Sequence, residues 1–309
     1  MGWRPALRDV GPSSSAARRV PAARVLGPAD LADARQVCAA DPVASVLAAA
    51  RVDVAIRAGL AAAGGELWGY PASGPPVAVC WAGANLVPVV PAGLGREGVT
   101  EAVDAFAATA RAQGRRSSSI VGERDVVRRL WELLSRTWPP PREVRADQPS
   151  LVIDHDPDVE PDPWVRRSRT AEIDLVLPAC VRMFTEEVGY SPVAGGGGAY
   201  AARVRSLIAE GRSYVRVAPD PDDGGASVAF KAELGAVAGG VAQVQGVWVD
   251  PRRRGEGLSV SGMAAVVALT RRDVAPTVSL YVNGYNAPAL AAYRHVGFER
   301  VGTFSTVLF

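Results

Sequence analysis

The sequence predicts a mixed α/β protein of α+β type, built from two halves of similar layout. Two observations carry this. From Arg24 onward, segments with apolar residues three and four apart alternate with short β-branched runs bounded by glycine and proline. The order helix, helix, strands, helix, strand, helix, strand then occurs twice, although no residue-level repeat accompanies it. A length of 309 residues suits two domains.

Taken in order, residues 1–23 read as a flexible tail. Helices are expected over Ala29–Ala40 and Val43–Ala63, the second stopped by Gly64-Gly65. Leu67–Tyr70, Val77–Trp81 and Asn85–Val90 read as strands, Val99–Gln113 as a helix, Ser118–Val121 as a strand and Glu123–Ser135 as a helix. Trp138-Pro139-Pro140-Pro141 cannot continue that helix. The acidic, proline-rich stretch from Asp154 to Pro163 reads as a linker, which places the domains at 24–150 and 164–309 with 151–163 between them. Beyond it, Trp164–Arg167 is expected as a strand and Glu172–Val188 as a helix. Four glycines, Gly195 to Gly198, precede a helix over Tyr200–Ala209. Strands follow at Tyr214–Val217, Ala226–Leu234 and Gly240–Val249. The chain closes with a helix at Leu258–Arg272, a strand at Thr277–Val282, a helix at Ala287–His295 and a strand at Phe298–Leu308.

Composition excludes several classes. Hydrophobic residues make up 48% and charged residues 21%, an ordinary globular balance. The net charge is +2, with neither half strongly basic, so a general nucleic-acid partner is not expected. Cys38, Cys80 and Cys180 form no CxxC pair, and with only His155 and His295 no metal site is expected. No apolar run is long enough to span a membrane, and the N-terminal residues lack a signal-peptide core, so a cytoplasmic setting is expected. Lys231 is the only lysine.

Chemistry concentrates in Val247-Trp248-Val249-Asp250-Pro251-Arg252-Arg253-Arg254-Gly255-Glu256-Gly257-Leu258-Ser259. An apolar strand ends at a proline, a basic glycine loop follows, and a helix starts at once. Backbone N–H groups at such a helix start form an anion nest, and arginines add charge-assisted donors. The local physics therefore points to a diphosphate. GxxxxGK[ST] fails for want of a lysine, and GxGxxG fails because position 260 is valine.

This segment resembles the pyrophosphate loop of the GNAT family, the acyl-CoA-dependent N-acetyltransferases. The family pattern [QR]xxGx[GA] aligns with Arg254, Gly257 and Ser259, the serine standing where Gly or Ala is usual. A second match lies downstream, in Asn283-Gly284-Tyr285-Asn286-Ala287 through Tyr293 to Gly297-Phe298. It is similar to the family's Asn-Ala segment, its tyrosine-bearing helix and its Gly-Phe turn. Together the motifs cover roughly Trp164 to Phe309.

The resemblance implies a GNAT fold in the C-terminal half and acetyl-CoA as cosubstrate. It implies that the strand before the loop splays from its neighbour, exposing backbone groups at Val247 and Val249 to pantetheine and the thioester. Arg252, Arg254, Gly255, Glu256, Gly257, Leu258 and Ser259 would hold the diphosphate, and Asn286 would lie along the pantetheine. Tyr293 would contact the cofactor sulfur and act as general acid toward the departing thiolate. Many members place a carboxylate on the strand occupied here by Gln243 and Gln245, neither of which can take a proton. Glu233, Glu186 and Glu187 read as surface carboxylates that could act only through water, so the base is unassigned. Trp248 alternates away from Val247 and Val249 and should pack on the opposite sheet face.

The N-terminal half has the same element order, but Val90-Pro91-Ala92-Gly93-Leu94-Gly95-Arg96-Glu97-Gly98 does not match the loop pattern. It reads as a degenerate GNAT-like domain, similar to those of two-domain actinobacterial members, that shapes the acceptor groove or mediates homodimerisation. The implied activity is transfer of an acetyl group to a primary amine, on a small molecule or a protein, by direct attack in a ternary complex. The alternative is a non-catalytic acyl-CoA-binding or regulatory module.

Overall fold

A computed structural model describes residues 22–309. Most of the tail expected at residues 1–23 lies outside the described residues. The N-terminal half runs β1 (Arg24–Val25), α1 (Leu31–Ala39), α2 (Pro42–Ala58), α3 (Leu60–Ala63), β2 (Glu66–Tyr70), β3 (Ala78–Ala82), β4 (Asn85–Val89), α4 (Gly95–Gln113), β5 (Ser119–Glu123), α5 (Arg124–Leu134) and β6 (Glu143–Ile153). The C-terminal half runs β7 (Arg166–Arg167), α6 (Ile173–Val188), α7 (Gly198–Ala209), β8 (Ser213–Pro219), β9 (Ala226–Ala238), β10 (Val241–Val249), α8 (Leu258–Asp273), β11 (Thr277–Tyr281), α9 (Ala287–Val296) and β12 (Glu299–Leu308). Local chemistry sets several boundaries. The Asp41 carboxylate accepts from the Ala44 N–H to start α2, and Gly64 closes α3 at φ 77°.

The twelve strands of the described residues form one sheet, in the order β1-β2-β3-β4-β5-β12-β6-β11-β10-β9-β8-β7. The two central strands are exchanged. β12, from the C-terminal half, lies antiparallel between β5 and β6, while β6, from the N-terminal half, lies antiparallel between β12 and β11. Each half therefore donates the strand that fills a gap in the other. Parallel pairs occupy equivalent places in the two halves, β4 with β5 and β10 with β11.

The exchange corrects the expected boundaries. A division at 150/151 cuts through β6, a strand the sequence did not reveal. Residues 154–163 contain no helix or strand but are tied down. The Asp158 N–H donates to Val296 O, the Asp162 N–H donates to Ser261 O, and Arg216 pairs with the buried Asp162 carboxylate at 2.7 Å. This segment is a strap laid over the helices of the C-terminal half.

Two cores flank the C-terminal sheet. One gathers Leu280, Met263, Val267, Tyr293 and Phe298 under α8 and α9, with Val247 and Val249 packed against it. The other joins Val176 and Cys180 of α6 to Val204 and Ile208 of α7, with Trp248. Trp248 thus packs on the face opposite Val247 and Val249, as its alternation predicts.

Candidate active site

The site begins where β10 leaves its neighbour. β10 and β11 pair at Val241–Thr277, Ala242–Val278 and Gln243–Ser279, and pairing stops there. β10 runs on to Val249 bonded only to β9, so its other edge faces a wedge-shaped opening from Val244 onward. The β10–β9 ladder is itself irregular. Between the Gln245–Glu233 and Trp248–Lys231 pairs, Gly246 and Val247 stand opposite Ala232 alone, forming a bulge with Gly246 at φ +60°.

At the end of β10 the chain turns through a single 3-10 turn, Pro251–Arg253, capped by Asp250, and enters α8. Gly255 at φ 93° and Gly257 at φ 78° hold the left-handed conformations that bring the chain into the helix, which a residue with a Cβ would strain. Among the described residues, the N–H groups of Gly257, Leu258 and Ser259 make no hydrogen bond with protein. They lie at the positive end of a 16-residue helix. Ser259, half-buried in the first turn, fits where the family pattern has Gly or Ala. Glu256 is exposed, its carboxylate 3.8 Å from Arg253.

The arginines divide. Arg254 is exposed and holds only the Glu186 carboxylate at 2.6 Å, an ion pair open to water that an incoming anion can displace. Arg252, expected at the diphosphate, is engaged elsewhere. Its guanidinium pairs with Asp220 at 2.8 Å, Asp222 at 2.6 Å and Asp250 at 2.7 Å, fastening the loop to the β8–β9 hairpin. Asp220 is held down at about 2 by Arg252, and the guanidinium is pushed above its usual value by hydrogen bonds to Asp250 and Asp220. With its donors taken by three carboxylates, Arg252 is a brace for the loop.

Across the opening, Asn286 caps α9 by accepting from the Ala289 N–H at 3.2 Å, and Gly297 ends that helix at φ 109°. The cap occupies Asn286 Oδ1 and leaves its amide NH₂ exposed. Tyr293 is 7% exposed, its ring edge-on to Phe298 with centroids 5.9 Å apart. Burial, followed by the nearby charge of Glu187, raises its phenol above the ordinary value, so it stays protonated at neutral pH.

Several contributions were not legible beforehand. β6 brings Arg145 to the C-terminal end of α6, where it holds the Glu187 carboxylate at 3.1 Å and donates to the Glu187 carbonyl. Gln148, also on β6, donates to Asn283 at 2.9 Å, two residues beyond β11. One wall of the opening is therefore built by the N-terminal half. Glu233 corrects a second expectation, for it is buried. Its carboxylate lies 2.7 Å from the ammonium of Lys231, and Cys180 donates to it at 3.3 Å. Burial alone would push this carboxyl up, but Lys231 holds it below its usual value. Glu186 bridges Arg254 and the Trp248 indole N–H.

The equivalent region of the N-terminal half differs in detail. β4 and β5 pair only at Asn85–Ser119 and Leu86–Ile120, yet a Cβ on Gly122 would sit 3.3 Å from Pro88 O, so the two strands stay close beyond their short ladder. Glu97 stands in the first turn of α4, where its charge opposes an anion.

Comparison with known proteins agrees with this geometry. Residues 211–298 match the sequence model of the acetyltransferase (GNAT) family. The match runs from just before β8 to just after α9 within the C-terminal half. Residues 65–176 match a domain of unknown function, DUF4081, which reaches past β6 into α6. A GCN5-related N-acetyltransferase from Sphaerobacter thermophilus has a similar fold over 93% of this chain and 95% of its own, at 16% identity and a TM-score of 0.58. A tandem GNAT protein from the clavulanic acid biosynthesis pathway is similar over 93% and 98%, at 14% identity and a TM-score of 0.54. The fold is thus GNAT-like over both halves. A mycothiol acetyltransferase from Saccharomonospora viridis is 44% identical over 63 residues, 20% of this chain and 21% of that protein. The chain thus aligns with about a fifth of the length of this curated relative. Among the described residues, no cluster of three metal-ligating side chains occurs and no helix is long and apolar enough to cross a membrane.

Proposed function

We propose that the protein is an N-acetyltransferase that carries the acetyl group of acetyl-CoA to a primary amine by direct attack in a ternary complex. The observation that carries this is the opening between β10 and β11, which leads straight into a helix start with three unpartnered N–H groups. An edge of unpaired backbone beside a diphosphate nest matches the shape of an acyl-CoA. The name of the mycothiol acetyltransferase relative supports acetyl transfer, but the short alignment leaves the acceptor to the rest of the site.

In this reading the amides at Gly257, Leu258 and Ser259, with Arg254, hold the diphosphate, and Gly255 and Glu256 shape the loop. Val247 and Val249 line the pantetheine and thioester, with the Asn286 amide further along. Tyr293 supplies the proton to the thiolate, its raised pKa keeping the hydroxyl loaded. Glu187, held by Arg145 of β6, is the acidic group whose charge reaches Tyr293, and in this reading it faces the acceptor. The acceptor, a small molecule or a protein amino group, enters against β6.

The glutamines at 243 and 245, where a carboxylate is usual, favour a second reading, a non-catalytic acyl-CoA-binding module. Thiol release from acetyl-CoA separates the two across polyamines, aminoglycosides, amino acids and N-terminal peptides at pH 7–9. Release above the amine-free rate supports the enzyme. CoA binding with no release on any amine supports the binding module.

A further inference from the structure

Lys231, the only lysine of the chain, is fully buried and has no part in the chemistry above. Its ammonium donates to Gly246 O at 3.0 Å, lies 2.7 Å from the Glu233 carboxylate and reaches the Met183 sulfur at 3.4 Å. Gly246 is the bulge residue of β10, and its pocket is tight. A Cβ there would sit 3.2 Å from Met183 Sδ and 3.3 Å from both Glu233 Oε2 and Lys231 Nζ. The backbone is therefore gripped where β10 begins to run free beside the opening.

The carbonyl of Gly246 and the N–H of Val247 belong to one planar trans peptide, so they point in opposite directions. With the carbonyl drawn down to a buried cation on the α6 side, the Val247 N–H is turned away from it. A cation on the carbonyl oxygen also polarises the peptide and strengthens its N–H as a donor, an effect larger in a dry interior than in water. Burial alone would discharge Lys231, but Glu233 beside it keeps the ammonium charged.

We infer that Lys231, paired with Glu233, is a positioning residue that orients and polarises the Gly246–Val247 peptide as the donor to the thioester oxygen. This rests on the acetyl-transfer reading above. The benefit belongs to the transition state, where negative charge grows on that oxygen, so loss of the cation lowers kcat and leaves binding of acetyl-CoA intact.

The test replaces the whole pair. Exchanging a buried ion pair for apolar side chains of similar size is often neutral or stabilising, so Lys231→Met with Glu233→Leu should fold. The expected result is a kcat lowered at least about tenfold, toward the roughly 10²–10³-fold cost of losing one oxyanion donor, with KM for acetyl-CoA within about twofold. Cys180→Ala, which disturbs the same cavity without touching the bulge, should keep kcat within about twofold. A folded double variant with wild-type kcat would overturn the inference, as would an equal loss in Cys180→Ala.

Should the double variant fail to fold, the wild-type protein still decides. Being unique, Lys231 gives a single side-chain signal after ¹⁵N-lysine labelling. A slowly exchanging ammonium coupled through its hydrogen bond to the Gly246 carbonyl carbon is expected, and a neutral amine or no coupling would overturn the inference. Absence of turnover on every amine would instead sink the acetyl-transfer reading, while the lysine signal would still report on the pinned peptide.

Discussion

Removal of β6 from the C-terminal half should be far more damaging than its place before the apparent linker implies. A fragment of residues 160–309 keeps every residue assigned to acyl-CoA but exposes the edge of β11, which pairs with β6, and both edges of β12, which lies between β5 and β6. Leu151 and Ile153 are 3% and 1% exposed, within the core beneath α8 and α9. Their burial contributes about 1.5–3 kcal/mol each, so about 3–6 kcal/mol is lost before the ladder is counted. Against a total stability of about 5–15 kcal/mol for a domain, that loss is decisive. A fragment of residues 140–309 restores β6 and keeps the order β7-β8-β9-β10-β11-β6-β12, with β12 as an edge strand that has lost only β5. Thermal melts by circular dichroism and CoA titration compare the two. The longer fragment should melt cooperatively and bind CoA within roughly tenfold of the full chain, about 1.4 kcal/mol. The shorter one should show no cooperative transition. Equal melting temperatures for both fragments would refute the reasoning.

Other consequences follow from the loop and from Tyr293. Arg254→Ala or Gly257→Val should weaken CoA by roughly 1.5–3 kcal/mol while barely changing affinity for pantetheine fragments without the diphosphate, as read by calorimetry. Arg252→Ala removes the brace and leaves Asp220, Asp222 and Asp250 uncompensated beside the loop, so both CoA affinity and melting temperature should fall. Because Asp220 titrates lower in the folded protein, at about 2, the brace contributes fully above the ordinary aspartate range and is lost as pH falls through about 2. The melting temperatures of wild type and Arg252→Ala should therefore converge between about pH 4 and pH 2. Tyr293→Phe should slow single-turnover transfer by roughly 10²–10⁴-fold with CoA affinity unchanged, whereas Tyr281→Phe and Tyr285→Phe should cost far less.

Much of this was legible in the residues. The helices and most strands follow their periodicities, and Asn286, Tyr293 and Gly297 fall at the start, within and at the end of α9, the arrangement the resemblance implied. β6 was hidden because Glu143-Val144-Arg145-Ala146-Asp147-Gln148-Pro149-Ser150 is polar and holds a proline, which argues against a central strand. Arg145 pairs with Glu143 on the same strand, but its other partner, Glu187, lies far away in sequence. Buried Gln148 donates to Asn283 and accepts from Thr306. Arg252 was misread for the same reason, since Asp220 and Asp222 stand 30 or more residues upstream. Glu233 did leave a signal, because the lone lysine two residues before it lies on the same strand face within an apolar run from Val228 to Leu234.

Hydrogen exchange with and without acetyl-CoA tests the central claim most directly, because the claim concerns backbone amides. Slowed exchange is predicted at Gly255 to Val260 and along Val244 to Val249, with no change from Val89 to Gly98 in the equivalent part of the N-terminal half. Protection at Val89–Gly98 with none at Gly255–Val260 would contradict the assignment.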